Sequence, residues 1–343
     1  MRRFLTSMRF STVFRCVLVL AVLIAIQAIP AAAQDLRATV GAQSADKGKQ
    51  ALAFFPNELW VHERDSITWT FATDEIHTVS FLRTIPGQQI RPPFSVGCPG
   101  TPLPGTTPDG SSFDGTACVN SGVLAGGRAY TVNFPTAGNF KLVCLVHSYM
   151  TGVVHVLNLA ETLPHDQAFY DRQAQHERAE LLSDASRLEG RGKATAERTS
   201  DNEVTAGISE IVATTGGGVH TSEVMRFLRG TTVVHVGDTV EWTNLGSTGN
   251  HTVTFGIEPS NLVPPSAGVT VDSDGARHAV IGSPTDNVNS GFLGAAGQDR
   301  PGLPQTPLGV TQFRVTFTSP GTFNYICGLH DDLGMVGTVI VHP

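Results

Sequence analysis

Tyr325-Ile326-Cys327-Gly328-Leu329-His330-Asp331-Asp332-Leu333-Gly334-Met335 runs without a break into the apolar stretch Val336-Gly337-Thr338-Val339-Ile340-Val341. A strand that ends at a Cys, a short loop carrying His and Met, and a strand that resumes at once bring a thiolate, an imidazole and a thioether together within nine residues. Thiolate and thioether select a soft metal, and an imidazole beside them suits copper better than magnesium or calcium. The fourth donor is expected from a neighbouring strand, where Asn250-His251-Thr252-Val253-Thr254-Phe255 offers His251.

The same set occurs earlier. Leu142-Val143-Cys144-Leu145-Val146-His147-Ser148-Tyr149-Met150 repeats the loop, and Ile76-His77-Thr78-Val79-Ser80-Phe81 repeats the upstream His. The framework repeats too. Leu59-Trp60-Val61-His62, Asp65 and Trp69 answer Val233-Val234-His235, Asp238 and Trp242, and Asn120-Ser121-Gly122-Val123-Leu124 answers Asn289-Ser290-Gly291-Phe292-Leu293. Such self-similarity points to duplication.

Both ligand sets resemble those of the cupredoxins, the blue-copper β-sandwiches that include plastocyanin, pseudoazurin and amicyanin. Cys327-x2-His330-x4-Met335 is similar to the plastocyanin and pseudoazurin loop, and Cys144-x2-His147-x2-Met150 to the shorter amicyanin loop. The resemblance implies an all-β chain of two tandem cupredoxin Greek-key β-sandwich domains, spanning 36–158 and 205–343, joined by a helical and flexible linker over 159–204. It implies two type 1 coppers. His77, Cys144 and His147 would form one trigonal set with Met150 axial; His251, Cys327 and His330 would form the other with Met335 axial. Thr78 and Thr252 follow the upstream ligands, where cupredoxins often carry a residue that hydrogen-bonds near the thiolate. The loop histidines His147 and His330 are the expected electron ports, opening through an apolar patch that includes Leu145, Val146, Leu329 and Leu333.

Between the repeats, Leu163 to Glu189 is charged and apolar at Tyr170, Ala174, Leu181, Ala185 and Leu188. That spacing predicts a helix with Pro164 near its start and Gly190 past its end. Gly192 to Val204 reads as flexible. His165 and His176 read as solvated polar residues of that helix, and His62 and His235 as exposed strand residues.

Residues 1–33 read as a secretory signal: four arginines and no acid, then an apolar run from Cys16 to Ile29, then Ala31-Ala32-Ala33. The run is too short to span a bilayer comfortably. Its removal implies a periplasmic or secreted protein with no membrane span, and shifts the formal charge from −7 to −11. Nothing points to nucleic acid; the acidic surface favours redox-protein partners, donor and acceptor, that are basic where they dock. Of five cysteines, Cys16 leaves with the signal and Cys144 and Cys327 are claimed as ligands. Cys98 and Cys118 remain, and a disulfide between them would stabilise by about 3 kcal/mol on the chain-entropy view.

These features predict an exported electron carrier and not an enzyme. Copper nitrite reductases and multicopper oxidases are also built from cupredoxin domains, but they add coppers held by extra histidines, many in His-x-His pairs. No His-x-His occurs here. A further copper would have to draw on His62, His155, His220, His235 or His278. A copper-carrying protein, with exchangeable donors on exposed loops, is the other alternative.

Overall fold

Alternation of β-branched or aromatic residues with polar ones dominates the chain outside one charged segment, and that period of two builds strands. In the computed structural model, which describes residues 33–84, 111–214, 218–246, 248–294 and 309–343, twenty strands and one helix form among the described residues. Before the helix lie β1 (Asp35–Gln43), β2 (Lys49–Phe55), β3 (Glu58–His62), β4 (Ser66–Phe71), β5 (Ser80–Phe81), β6 (Val119–Asn120), β7 (Ala129–Asn133), β8 (Gly138–Val143) and β9 (Thr151–Leu157). The helix α1 spans Gln167–Ala196. After it come β10 (Glu203–Ala213), β11 (Val219–Leu228), β12 (Thr231–His235), β13 (Thr239–Leu245), β14 (Thr254–Phe255), β15 (Thr270–Val271) and β16 (Arg277–Ile281). The chain ends with β17 (Val288–Asn289), β18 (Gln312–Phe317), β19 (Gly321–Ile326) and β20 (Val336–His342).

The two halves repeat one pairing scheme. In the first, β1 lies between β2 and β4, with β7 beyond β4, while β9 joins β3 to β8 and β8 pairs with β5. In the second, β10 lies between β11 and β13, with β18 beyond β13, while β20 joins β12 to β19 and β19 pairs with β14. The second half adds β15 and β16 outside β18. Each half packs one sheet on the other through aromatic residues. Trp69 of β4 meets Phe81 of β5 at 5.7 Å, and Trp242 of β13 meets Tyr325 of β19 at 5.1 Å. The framework turns match as well: Asp65 accepts from the His62 N–H, and Asp238 from the His235 N–H, each at 2.8 Å.

The halves are joined edge to edge. β11 pairs antiparallel with β2, Thr221 opposite Leu52 and Glu223 opposite Gln50, so one sheet runs through both halves, and residues 33–343 make one compact unit. The helix lies across this junction. Its apolar positions Tyr170, Ala174, Leu181, Ala185 and Leu188 are all buried, which covers the face expected from their spacing. Tyr170 to Leu181 pack on the first half, where Ala174 and Leu181 meet Ala51, Ala53 and Phe55. Leu188 packs on Val224 and Leu228 of the second.

Two linker expectations are corrected. The helix begins after Asp166, whose carboxylate accepts from the Phe169 N–H, and continues past Gly190 to Ala196. Gly192 is not a break: a Cβ there would lie 2.3 Å from Leu228 Cδ1, so its small size lets the helix reach β11. The segment thus packs as a brace and is no free spacer. The expected signal lies outside the described residues except for Ala33, and none of the described helices is long and apolar enough to cross a membrane. Cys118 is disulfide-bonded; its expected partner Cys98 lies outside the described residues.

Candidate metal centres

Each upstream histidine is held by the segment that returns from the long insert. His77 and Leu124 exchange backbone hydrogen bonds at 2.9 Å, and His251 and Leu293 do so at 2.9 and 2.7 Å. The Asn-Ser-Gly ahead of each leucine completes the clamp. Ser121 Oγ accepts from the Val79 N–H and Ser290 Oγ from the Val253 N–H, while Asn120 and Asn289 accept from Ser80 and Thr254. Gly122 and Gly291 turn the chain there at φ 66° and 68°, a conformation that glycine adopts without steric penalty.

Room for each ring comes from a bulge. Register slips between Val40 and Ala42 in β1 and between Ala206 and Ile208 in β10, with Gly41 and Gly207 at φ 72° and 81°. A Cβ on Gly41 would stand 2.7 Å from His77 Nε2, and one on Gly207 would stand 2.1 Å from His251 Nε2. Neither glycine entered the sequence reading. An isolated Gly inside a strand pattern was the available signal.

The loops then deliver the remaining donors. Cys144 N–H donates to the Met150 carbonyl and Cys327 N–H to the Met335 carbonyl, both at 3.0 Å, which closes each loop and brings Cys and Met to adjoining strand ends. The residue before each Met is left-handed, Tyr149 at φ 54° and Gly334 at φ 90°. Nδ1 of His147 lies 3.1 Å from Nδ1 of His77 and 3.8 Å from Cys144 Sγ. Nδ1 of His330 lies 3.1 Å from Nδ1 of His251 and 3.3 Å from Cys327 Sγ. Within His77, Cys144 and His147, and within His251, Cys327 and His330, all donor atoms fall within 4.8 Å of one another, and both trios are buried. Met150 and Met335 are fully buried.

Thr78 and Thr252 each act twice. Their N–H groups donate to Cys144 Sγ at 3.4 Å and Cys327 Sγ at 3.3 Å, and their hydroxyls accept from the N–H after the cysteine, on Leu145 and Gly328, at 2.8 Å. Burial opposes ionisation of both thiols, yet the facing histidines outweigh it and hold Cys144 and Cys327 well below the ordinary thiol range. The same coupling, against the same burial, raises His147 to about 10 and His251 to about 9. A thiolate is therefore ready for a cation at the centre of each trio.

Two buried carboxylates went unnoticed in the sequence. Glu75 places Oε1 3.3 Å from His147 Nε2 and Oε2 3.7 Å from His330 Nε2. Burial pushes its carboxyl up, but His147, His330 and His77 prevail and hold it at about 2. Glu223, fully buried on β11, places Oε1 3.4 Å from His251 Nε2 and accepts from Thr248. His251 and Thr248 hold it below the usual carboxylate range despite burial.

The apolar patch expected around the loop histidines is largely buried in this arrangement. His147 and His330 are each only 4% exposed, and Leu145 and Leu333 are buried with them; only Leu329 of the expected patch is exposed. The first loop is gripped by the second half, and the second loop is tied to the first half through Arg226. Thr221 of β11 donates to the Tyr149 carbonyl, and Arg226 of β11 spans from the Asp46 carbonyl to the Leu333 carbonyl. The remaining histidines do not assemble: His62 meets the Glu161 carbonyl, His155 pairs with Glu58 at 2.8 Å, and His278 with Asp272 at 3.2 Å. Among the described residues, the two His–Cys–His trios are the only such metal-binding groups.

Comparison with known proteins agrees with this chemistry. The profile for copper binding proteins of the plastocyanin/azurin family matches residues 214–342. No curated protein sequence matches. Among solved structures, a reduced amicyanin variant is 19% identical and covers 36% of this chain and 81% of its own, with a TM-score of 0.23. Plastocyanin from Dryopteris crassirhizoma is 17% identical and covers 41% and 99%, with a TM-score of 0.21. The multicopper oxidase mgLAC is 14% identical and covers 90% and 86%, with a TM-score of 0.22. A second multicopper oxidase also extends over 90% of the chain, and this coverage overturns the expectation that the protein is not an enzyme. At 14% identity and a TM-score of 0.22, the alignments bring no oxidase reaction to this chain. The profile places residues 214–342 in likeness to the copper-binding plastocyanin/azurin family, and the two His–Cys–His groups, one within that span and one before it, suit copper.

Proposed function

We propose that each half of the chain is a cupredoxin β-sandwich holding one type 1 copper, and that the protein takes up and releases single electrons at both centres. The observation that carries this reading is the pair of buried trios, each with two Nδ1 atoms and a thiolate converging beside a buried Met. Copper bound there would supply a one-electron couple. His77, Cys144, His147 and Met150 are the ligands of the first site; His251, Cys327, His330 and Met335 are those of the second. Thr78 and Thr252 orient the thiolates through their N–H groups. The clamps at Leu124 and Leu293 fix the upstream rings, so little rearrangement accompanies electron gain or loss. The reading includes export to the periplasm or the exterior, and redox-protein partners that are basic where they meet this acidic chain.

Copper content, visible absorption and EPR of the loaded mature protein test it. Two coppers per chain are expected, both with intense thiolate charge-transfer bands and small hyperfine splitting. Cys144→Ser and Cys327→Ser should each remove one copper and its band while leaving the other. Copper bound without any thiolate band would overturn the reading. A third, tetragonal copper signal, together with oxygen or nitrite consumption, would assign the terminal chemistry to this chain as well.

A further inference from the structure

Glu75 touches both centres. Its side chain is 5% exposed, and its two oxygens point to the two loop histidines, 3.3 Å to His147 Nε2 and 3.7 Å to His330 Nε2. Holding a carboxylate out of water costs several kcal/mol unless cationic or N–H partners surround it. The partners here are imidazoles from two different ligand sets, brought together because β2 pairs with β11, Thr221 of the second half holds the first loop, and Arg226 bridges the second loop to Asp46 of the first half. When Nδ1 of an imidazole holds a metal, the proton resides on Nε2, and that N–H is the usual donor to an outer carboxylate. One carboxylate faces two such imidazoles at once, within hydrogen-bond reach of His147 and in ion-pair range of His330. The duplicated framework makes the placement specific: aligning His77 with His251 puts Gly249 at the position of Glu75, and the carboxylate beside Gly249 is Glu223 of β11, which faces His251 and not a loop histidine.

We infer that the two copper centres form an electron-sharing pair, with Glu75 as the positioning residue that links His147 to His330 and so connects one site to the other. The inference rests on the two-copper reading. In the exchange, one electron leaves the reduced centre and arrives at the oxidised one; no bond forms or breaks and no proton is transferred. No outside reductant is needed for the exchange itself. The buried loop histidines are thereby assigned to traffic within the chain. Electrons from outside must enter by another face.

Pulse radiolysis of the full, copper-loaded chain tests this by reducing one centre and following its equilibration with the other. The expected exchange is first-order with a rate independent of protein concentration. Glu75→Gln removes the charge and turns an N–H group toward one of two N–H donors, and should slow the exchange roughly 10–100-fold. It should also raise both reduction potentials, since a negative charge near each oxidised site is lost. Glu223→Gln, in contact with His251 and only coulombically coupled to His147, should raise the second potential more than the first. Both blue bands present with an exchange rate that scales with protein concentration would overturn the inference and leave the two-copper reading standing. So would unchanged potentials in Glu75→Gln. Absence of blue copper would remove both readings. Should Glu75→Gln fail to fold, the concentration dependence of the native protein still decides.

Discussion

The two halves of this chain share a framework to the level of single hydrogen bonds and differ in what surrounds the sulfur and the rings. In the first, Cys144 Sγ accepts from two backbone N–H groups, those of Thr78 and His147, both at 3.4 Å. In the second, Cys327 Sγ accepts from Thr252, while the His330 N–H goes to the Cys327 carbonyl. The upstream rings differ also. His77 Nε2 has no hydrogen-bond partner among the described residues, whereas His251 Nε2 lies 3.4 Å from Oε1 of the buried Glu223. Register places Gln50 where the second half has Glu223, so the duplicated scaffold carries an amide on one side and an acid on the other. Duplication has kept the donors and changed their electrostatic surroundings.

The bulge glycines break that comparison most severely. Gly207→Ala puts a methyl 2.1 Å from His251 Nε2, and a left-handed conformation costs an alanine about 1–2 kcal/mol in addition. The ring must move, and the second blue band should vanish. Gly41→Ala places its methyl at 2.7 Å from His77 Nε2, with Thr73 also close. It should weaken the first site's copper affinity by about 10–100-fold, the range for a disturbed ligand orientation. Copper titration followed at the thiolate band checks both, and equal losses would refute the ranking.

A redox titration sharpens the comparison. Each N–H donor draws density from the sulfur and favours the reduced metal, and an anion beside a ligand favours the oxidised one. Both effects place the first site above the second. One extra hydrogen bond of about 1 kcal/mol corresponds to a gap on the order of 50 mV for a one-electron couple. Measuring each potential in the variant that lacks the other cysteine assigns the values. The reverse order would show that the differing Met loops, and not these contacts, set the potentials.

What the sequence made legible follows from locality. Cys-x2-His-x2/4-Met places three donors on one short loop, so they meet whatever the rest of the chain does, and the 3.6-residue spacing of Tyr170, Ala174, Leu181, Ala185 and Leu188 marks a buried face by itself. Glu75 and Glu223 were not legible because their partners are set by which sheet edges join. Asp74-Glu75 reads as a polar turn, and Glu223 sits in a strand whose neighbour, β2, lies some 170 residues earlier. The loop histidines, expected to open through an apolar patch, are each only 4% exposed, which the local loop spacing could not show. Gly192 misled for a related reason: its role is close contact with Leu228, which is a tertiary fact.

The smallest effect concerns the brace across the junction. Asp166 caps the helix, its carboxylate accepting from the Phe169 N–H at 2.8 Å, and the first turns carry Tyr170, whose hydroxyl accepts from the Trp60 N–H at 3.0 Å, and Arg178, which donates to Thr39 at 2.7 Å. Those partners all belong to the first half. The later turns serve the second, through the Leu181 carbonyl accepting from Ser222 and Arg191 pairing with Glu210. Asp166→Ala removes a cap worth about 1 kcal/mol and frays the end that lies on the first half. Hydrogen exchange should therefore rise in β1 and β3 before β10 and β11, with both copper spectra unchanged. A uniform rise would mean that the junction is a single cooperative unit and that the helix stabilises both halves through the continuous sheet beneath it.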